Sequence, residues 1–241
     1  MDYVEQAQFY ANYWRSRLIG PDELCALFFI REAIKSMHDL QDCPTILDAG
    51  CGRGWMTHAL GSLGNVLGVD LSVDLAKRFY SHCSFQRGNL AKEILTGHTF
   101  DVVVSSEVIE HLSTEDKKAY VRNLAGSLRV NGYLILTTPN KPKALELFAA
   151  LPRARKQPIE NWLTQYELIK LLSRHLQVWS CDTIVHYPLW IRRSVPTNAA
   201  YFMFYAYTGI YRLHEMFRAR SECPYQEPTG LYHAVIAQKT N

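Results

Sequence analysis

The sequence predicts an α/β fold in which a mostly parallel β-sheet is covered by helices on both faces. Two short apolar runs, residues 46–47 before Asp48 and residues 66–69 before Asp70, flank a helix-length stretch, as in a βαβ unit. A third run, residues 100–106, is rich in consecutive valines, which is typical of a strand buried on both faces. These three strands form the centre of the predicted sheet.

The turn after the first predicted strand carries three glycines at alternate positions, Gly50, Gly52 and Gly54. Glycine tolerates positive φ, and its missing Cβ lets the backbone lie against a ligand. Asp70 follows Gly50 at the spacing where an acid after the second strand grips the ribose of a bound nucleoside. A dinucleotide-binding turn has the pattern G-x-G-x-x-G, whereas the pattern here is G-x-G-x-G. Asp48 would also repel a phosphate, so a bound dinucleotide is disfavoured.

This glycine-rich block, residues 46–54, and the following Val69–Ser72 resemble motif I and the next segment of class I S-adenosylmethionine-dependent methyltransferases. The resemblance implies a Rossmann-like, seven-stranded sheet, with S-adenosylmethionine as cofactor and S-adenosylhomocysteine as product. Residues 107–112, E-V-I-E-H-L, are also similar to this family, and Pro139–Asn140 to its quinone-biosynthesis O-methyltransferases. The cofactor-binding residues that it implies are Asp48, Gly50, Cys51, Gly52, Gly54, Asp70, Leu71, Asn89, Leu90, Ser106 and Glu107.

Asn89 departs from the family pattern, because it stands where the family commonly has an acid that accepts from the adenine amino group. Its amide oxygen can accept the same hydrogen bond. An asparagine directly after Gly88 is equally typical of a plain turn. Both interpretations stay open.

Residues 1–40 predict two helices, separated by the G-P-D sequence at residues 20–22. The first helix carries Tyr10, Tyr13 and Trp14, and the second has an apolar face. The helices either pad the sheet or form a cap over the cofactor, with one of these three aromatic residues reaching it.

The rest of the chain predicts the remaining elements of the sheet. We expect Asn131–Gly132 to close a helix, and Thr164 with Glu167 to form an S/T-x-x-E capping box for another. The last strand is expected to be antiparallel, at the edge of the sheet. The predicted elements are helices over residues 74–83, 116–128, 141–156 and 164–175, and strands over residues 85–86, 133–138, 177–184 and 230–239.

A long aromatic-rich insertion separates the last two predicted strands, where a hairpin loop would be far shorter. It is a helix packed into the domain, a wall of the acceptor pocket that includes Tyr201 and Tyr205, or a shallow membrane or dimer contact. We expect one domain, residues 1–241. Its parts are a helical cap (1–40), a cofactor-binding core (41–185), the helical insertion (186–228) and the last strand (229–241).

Composition narrows the classes of partner. The chain is 48% hydrophobic and 20% charged, which is typical of a globular protein, and a net charge of +3 gives no argument for nucleic acid. Six cysteines show neither a CxxC pattern nor metal-site spacing with histidine, so we expect no metal and reduced thiols in the cytoplasm. We also expect no stable membrane insertion, and a monomer or homodimer.

The resemblance implies methyl transfer to a small-molecule acceptor, and we expect a hydroxyl oxygen of a lipophilic or aromatic metabolite. N- or C-methylation is an alternative, and a nucleotide-dependent oxidoreductase is a weaker one. His111 is the best-placed general base for a hydroxyl, because histidine exchanges protons near neutral pH. It can equally serve only as a hydrogen-bonding group within its own helix or toward the cofactor loop.

Overall fold

The computed structural model describes residues 3–16, 19–95, 97, 99–150, 157–185 and 230–240. Their strands form one sheet in the order β3-β2-β1-β4-β5-β7-β6, parallel except for β7, which is antiparallel to both of its neighbours. The strands are β1 (Thr45–Ala49), β2 (Asn65–Asp70), β3 (Ser84–Arg87), β4 (Phe100–Ser106), β5 (Leu128–Pro139), β6 (Gln177–Ile184) and β7 (Tyr232–Gln238). The helices are α1 (Tyr3–Ser16), α2 (Pro21–Lys35), α3 (Trp55–Leu60), α4 (Asp74–Phe79), α5 (Thr114–Ser127), α6 (Lys141–Ala150) and α7 (Gln165–Leu172).

A hydrophobic core lies on each face of the sheet, because successive side chains of a strand point to opposite faces. Val103 of β4 packs in the core that includes residues of α5 and α7. Its neighbours Val102 and Val104 pack in the other core, with residues of α2 and α3. The prediction of a mostly parallel, doubly covered, seven-stranded sheet is therefore confirmed.

Local signals in the sequence also agree with the structure. The strand predicted over residues 85–86 is present as β3, and a helix, α3, follows the glycine turn from Trp55. The capping box at the start of α7 is formed, since Glu167 N donates to Thr164 Oγ1 at 3.2 Å and Thr164 N donates to Glu167 Oε2 at 2.8 Å.

The prediction that the last strand lies at the sheet edge is wrong. β7 lies between β5 and β6, and its residues 233–237 are all buried. β6 takes the edge instead, where the Trp179 side chain is 55% exposed. Because Ala234–Ala237 is a continuous apolar run, this strand is more stable between two neighbouring strands than at the half-exposed edge of the sheet.

The prediction that Asn131–Gly132 closes a helix is also wrong. α5 ends at Ser127, and Leu128, which is buried, already pairs with Phe100 as the first residue of β5. The register then shifts so that Tyr133 pairs with Val102, and Asn131 adopts a φ of 64° in the intervening irregularity. Burial of Leu128 ends the helix earlier than its turn residues suggest.

The expected insertion, residues 186–228, lies outside the described residues, together with Tyr201, Tyr205 and the basic segment 151–156. The division of the chain into cap, core and insertion remains an expectation. No helix among the residues that the structure describes is long and apolar enough to cross a membrane.

Candidate functional site

A cavity of about 370 Å³ lies at the carboxyl ends of β1, β2 and β4. Ligands of open α/β sheets bind at this edge, because the loops that follow the strands converge there. The α1 and α2 helices both line the cavity, α2 through Asp22, Glu23 and Ala26. Farther along α2, Phe29 and Ile30 pack into the core. The predicted residues that line the cavity are Tyr10, Tyr13, Trp14, Asp48, Gly50, Cys51, Asp70, Leu71, Asn89, Leu90, Ser106, Glu107 and His111.

The structure places Gly52 and Gly54 outside the cavity lining. A Cβ at Gly52, where φ is +52°, would lie 2.9 Å from the Trp14 indole, and one at Gly50 would lie 2.3 Å from Val108 Cγ2. The glycines therefore allow protein groups to pack against the loop, and the missing Cβ of Gly52 leaves room for the Trp14 indole at the cavity wall.

We expect Gly52→Ala to destabilise the protein and to weaken cofactor binding by displacing Trp14. An alanine in the left-handed region costs about 1–2 kcal/mol, and the clash with the indole adds to that cost. Gly97→Ala is the matched control, because Gly97 has φ +78° and nothing within 4 Å of an added Cβ. Urea unfolding and calorimetric titration with S-adenosylhomocysteine measure the two effects. Equal losses in both variants would contradict a role for the Trp14 contact.

Asp70 at the end of β2 is held by the backbone of two loops. Its Oδ2 accepts from Gly52 N at 2.9 Å and its Oδ1 accepts from Ser72 N at 3.2 Å. Burial raises the pKa of Asp70, and the backbone N–H groups oppose that rise. Each carboxylate oxygen keeps a further acceptor position, so Asp70 is fixed in place to receive hydroxyl donors from a ligand.

Asp48 at the end of β1 is buried, and it accepts a hydrogen bond from Thr57 Oγ1 at 2.6 Å. Burial raises its pKa to about 7, the Thr57 hydrogen bond opposes the rise, and the charge of Asp70 adds to it. A positive ligand group near this carboxyl would favour its ionised form.

Glu107 and Glu110 follow β4 through a single 3₁₀ turn, Ile109–His111. Glu107 has φ 56°, and its buried Oε1 has no hydrogen-bond partner among the residues that the structure describes. Burial and the nearby charge of Glu110 raise the pKa of Glu107. Burial also raises the pKa of Glu110, whose Oε2 accepts from Thr138 Oγ1 at 3.0 Å. The turn therefore presents two carboxyl groups that favour a proton or a cation.

His111 is fixed by a segment that crosses the site, residues 157–163. The carbonyl of Ile159 accepts from His111 Nδ1 at 3.0 Å, and Asn161 N donates to the Glu110 carbonyl at 2.8 Å. A carbonyl can only accept, so Nδ1 carries the hydrogen and a neutral ring has its lone pair on Nε2. That Nε2 lies 3.5 Å from Glu110 Oε1, with the Tyr10 ring beside it at a centroid distance of 5.6 Å.

Asn89 lines the cavity and also makes a turn. Its Oδ1 accepts from Ala91 N at 3.0 Å, and its carbonyl accepts from the N–H groups of Lys92 and Glu93. The turn uses one of the two acceptor positions on the amide oxygen. The other position is the one available to an adenine amino group.

Several cavity residues were missed in the sequence because no motif marks them. Phe148 and Trp162 stack with ring centroids 5.0 Å apart, and neither type nor spacing distinguishes them from core residues. The lining holds eight carboxyl groups and, within the part of the chain that the structure describes, no lysine or arginine. The acids beyond the predicted ones are Asp22, Glu23, Glu110, Asp116 and Glu160.

Comparison with known proteins shows that this chain is similar in sequence to methyltransferases. Residues 21–187 match the family model described as Methyltransferase domain. The human mitochondrial ubiquinone biosynthesis O-methyltransferase is 38% identical over 108 residues, which are 40% of this chain and 29% of that protein. The enzyme of the same name from Methylobacterium sp. (strain 4-46) is 28% identical over 174 residues, covering 65% and 69%.

A solved structure agrees at the level of the fold. The N-methyltransferase NodS from Bradyrhizobium japonicum WM9, in complex with S-adenosylhomocysteine, matches with a TM-score of 0.59 at 13% identity. The match covers 95% of this chain and 92% of NodS. The alignment with the human relative, by contrast, spans less than a third of that protein's length.

Proposed function

Because the chain belongs to the methyltransferase-domain family, we propose that it transfers the methyl group of S-adenosylmethionine to a hydroxyl oxygen of a small lipophilic or aromatic metabolite. The observation that carries the proposal is the acid-lined, aromatic-capped cavity at the carboxyl ends of β1, β2 and β4. The ubiquinone-biosynthesis O-methyltransferases among its relatives support oxygen as the acceptor atom.

The charges around the cavity fit S-adenosylmethionine, which carries a positive sulfonium and a positive amino group. Eight carboxyl groups without a lysine or arginine among the described lining residues favour such a ligand and would repel a pyrophosphate. We assign Asp70 to the ribose hydroxyls and Asp48 to the positively charged end. Asn89 and Leu90 are assigned to the adenine. The same charges disfavour the alternative of a nucleotide-dependent oxidoreductase.

The protein's own contribution to catalysis is binding, alignment and proton transfer. The bound cofactor supplies an activated methyl group. Tyr10, Tyr13 and Trp14 shield the cavity from water and fix the line of attack, and alignment of this kind contributes about 7–11 kcal/mol in well-oriented systems. His111 accepts the proton of the attacking hydroxyl on Nε2, because its Nδ1 is committed to the Ile159 carbonyl.

The cavity also narrows the class of acceptor. Tyr10 and the stacked pair of Phe148 and Trp162 offer flat apolar surface, which suits an aromatic ring. The surrounding carboxyl groups disfavour an acceptor that carries a carboxylate near the reacting atom. They would equally stabilise the positive charge that develops on a neutral amine nitrogen as it accepts a methyl group, so N-methylation of an aromatic amine is the second candidate.

A matched acceptor screen tests the proposal. The full chain is incubated with S-adenosylmethionine and with catechols, their aromatic-amine counterparts or their carboxylate-bearing counterparts, and the products are identified by mass spectrometry. We expect methylated catechols, with formation of S-adenosylhomocysteine in equal amount. Methylation of the amines alone would favour the second candidate. Failure to bind S-adenosylhomocysteine in calorimetry would overturn both.

We expect affinity for S-adenosylmethionine to rise with pH up to about 7 and to level off above it, because a bound cation favours the ionised form of Asp48. The pKa of Asp48 is about 7 in the free protein, so binding should release a proton near neutral pH. Calorimetry in buffers of different ionisation enthalpy counts that proton. Asp48→Asn keeps an acceptor for Thr57 and should remove this pH dependence. The same slope in the variant would assign the proton to another carboxyl group.

The same group should make the free protein less stable as the pH rises. Between the ordinary pKa of 3.8 and the raised value of about 7, the folded state binds more protons than the unfolded state. Its free energy of unfolding therefore falls with increasing pH over this window. Asp48→Asn should raise the melting temperature at pH 8 while weakening S-adenosylmethionine binding, a combination that simple misfolding cannot produce.

A further inference from the structure

We propose that His58, His82 and Cys83 form a zinc-binding site separate from the cavity. His82 Nε2 lies 2.9 Å from His58 Nδ1, and the Cys83 Sγ and these two nitrogens all lie within 4.8 Å of one another. None of the three residues lines the cavity. Among the described residues, this is the only group of three or more histidine, cysteine or acidic side chains arranged closely enough to hold a metal ion.

The separation of the two nitrogens fits a shared metal ion. Two nitrogens that bind one zinc ion at about 2.0–2.1 Å lie about 2.9–3.4 Å apart for bond angles from roughly 90° to 110°. The observed 2.9 Å is at the short end of that range. The rings are nearly perpendicular, at 85° with centroids 4.9 Å apart, so they do not stack face to face and can direct their nitrogens at a common point.

Both sides of the site are held by the fold. His58 lies on α3, which is anchored by its buried residues Trp55, Met56, Thr57 and Leu60. Its ring stacks on Tyr80 at a centroid distance of 4.9 Å and an interplanar angle of 21°. Cys83 N donates to the Tyr80 carbonyl at 2.9 Å, which closes the turn that carries His82 and Cys83. These contacts reduce the conformational entropy that the protein would lose when a metal ion binds.

The donor set selects the class of metal. Two imidazole nitrogens and one thiolate sulfur are typical ligands of zinc, and no carboxylate of the kind that magnesium and calcium prefer belongs to the group. Binding displaces the Cys83 thiol proton to solvent, and the ring hydrogen between the two nitrogens moves to an outer ring nitrogen or to solvent. Three protein ligands leave a fourth position for water.

The position of the site indicates that a bound ion would have a structural role. The turn that carries His82 and Cys83 leads into Ser84, the first residue of β3, so the site lies toward the amino ends of the strands. The cavity is at their carboxyl ends. A bound ion would join α3 to the entry of β3. The sequence shows no metal-site spacing, because His58 and His82 are 24 residues apart and come together only in the folded protein.

Metal titration of the full chain tests this site. Protein treated with a chelator is titrated with Zn²⁺ in a calorimeter, and a Co²⁺-loaded sample is examined for the visible bands of tetrahedral cobalt and thiolate-to-metal charge transfer. We expect one ion per chain. His58→Ala and His82→Ala should each lower the affinity by more than the roughly 10–100-fold that loss of an outer-shell partner costs. Cys83→Ser should abolish the charge-transfer band.

Exposed residues elsewhere provide matched controls. His175→Ala and Cys43→Ser remove an exposed imidazole and an exposed thiol outside the proposed site, and both should leave zinc binding unchanged. Zinc that binds His82→Ala as tightly as the wild type overturns the proposal, and so does zinc that competes with S-adenosylhomocysteine. Circular dichroism and S-adenosylhomocysteine binding should be the same in all five variants, which separates loss of the metal site from loss of the fold.

Discussion

Replacing His111 with alanine is expected to lower kcat by about 10²–10⁴-fold, the usual contribution of a general base, while affinity for S-adenosylhomocysteine stays nearly unchanged. The backbone contact from His111 Nδ1 to the Ile159 carbonyl leaves Nε2 as the acceptor nitrogen of the neutral ring. Its loss would remove the proposed proton acceptor for the attacking hydroxyl without removing a residue assigned to the cofactor. Steady-state kinetics with a methylated acceptor and calorimetry with S-adenosylhomocysteine measure the two effects.

Two further variants separate proton transfer from support of the site. His111→Gln keeps an amide N–H that can donate to the Ile159 carbonyl but provides no base, so it should be nearly as slow as alanine. If the histidine only holds the crossing segment, glutamine should restore most of the activity. His175→Ala, at an exposed histidine just after the end of α7, should behave like the wild type. Full turnover by His111→Ala would place the base elsewhere.

Replacing Asp70 with alanine is expected to weaken S-adenosylhomocysteine binding by about 1.5–3 kcal/mol, or roughly 10–150-fold. The carboxylate is already oriented by Gly52 N and Ser72 N, so it accepts ligand hydroxyls without having to be ordered first. Its removal also leaves those two N–H groups without their acceptor. Calorimetry at one pH and ionic strength gives the affinity.

A neighbouring acid serves as the control for charge alone. Asp74 is exposed and pairs with Arg87 at 3.1 Å, so Asp74→Ala removes the same charge near the same loop without touching the cavity. Its effect on affinity should be small. Equal losses in Asp70→Ala and Asp74→Ala would mean that the ligand senses only the local field, and the assignment of Asp70 to the ribose would fall.

The central strands could be predicted because the apolar pattern that identifies each of them lies within its own sequence. Val102 to Val104 are buried on both faces, so a plain apolar run was enough to identify β4. The place of β7 was not predictable, since pairing with β5 and β6 is decided by distant partners and not by residues 232–238 themselves. The early end of α5 had the same origin, because the burial of Leu128 depends on its contact with Phe100.

The same distinction between local sequence patterns and distant contacts decides which residues of the candidate site could be predicted. Asp48, Gly50 and Asp70 all belong to one β1–α3–β2 unit, so their spacing in the sequence already encoded their arrangement. Glu160, Phe148 and Trp162 reach the cavity from helices and loops far along the chain, and no local pattern marks them. The contact of Trp14 with Gly52 was also hidden, because it joins α1 to a loop that it meets only in the folded protein.

The position of β7 in the sheet affects how the chain folds while the ribosome synthesises it. β5 is complete at Pro139, but its antiparallel partner begins only at Tyr232. While the ribosome makes the chain between them, the hydrogen-bonding edge of β5 is open and β6 has no strand to join. Contacts of such long sequence separation slow folding, and unpaired apolar edges promote aggregation. We therefore expect release of nascent chains before Gln238 to yield aggregates, and folding of the full chain to depend on chaperones that shield this edge.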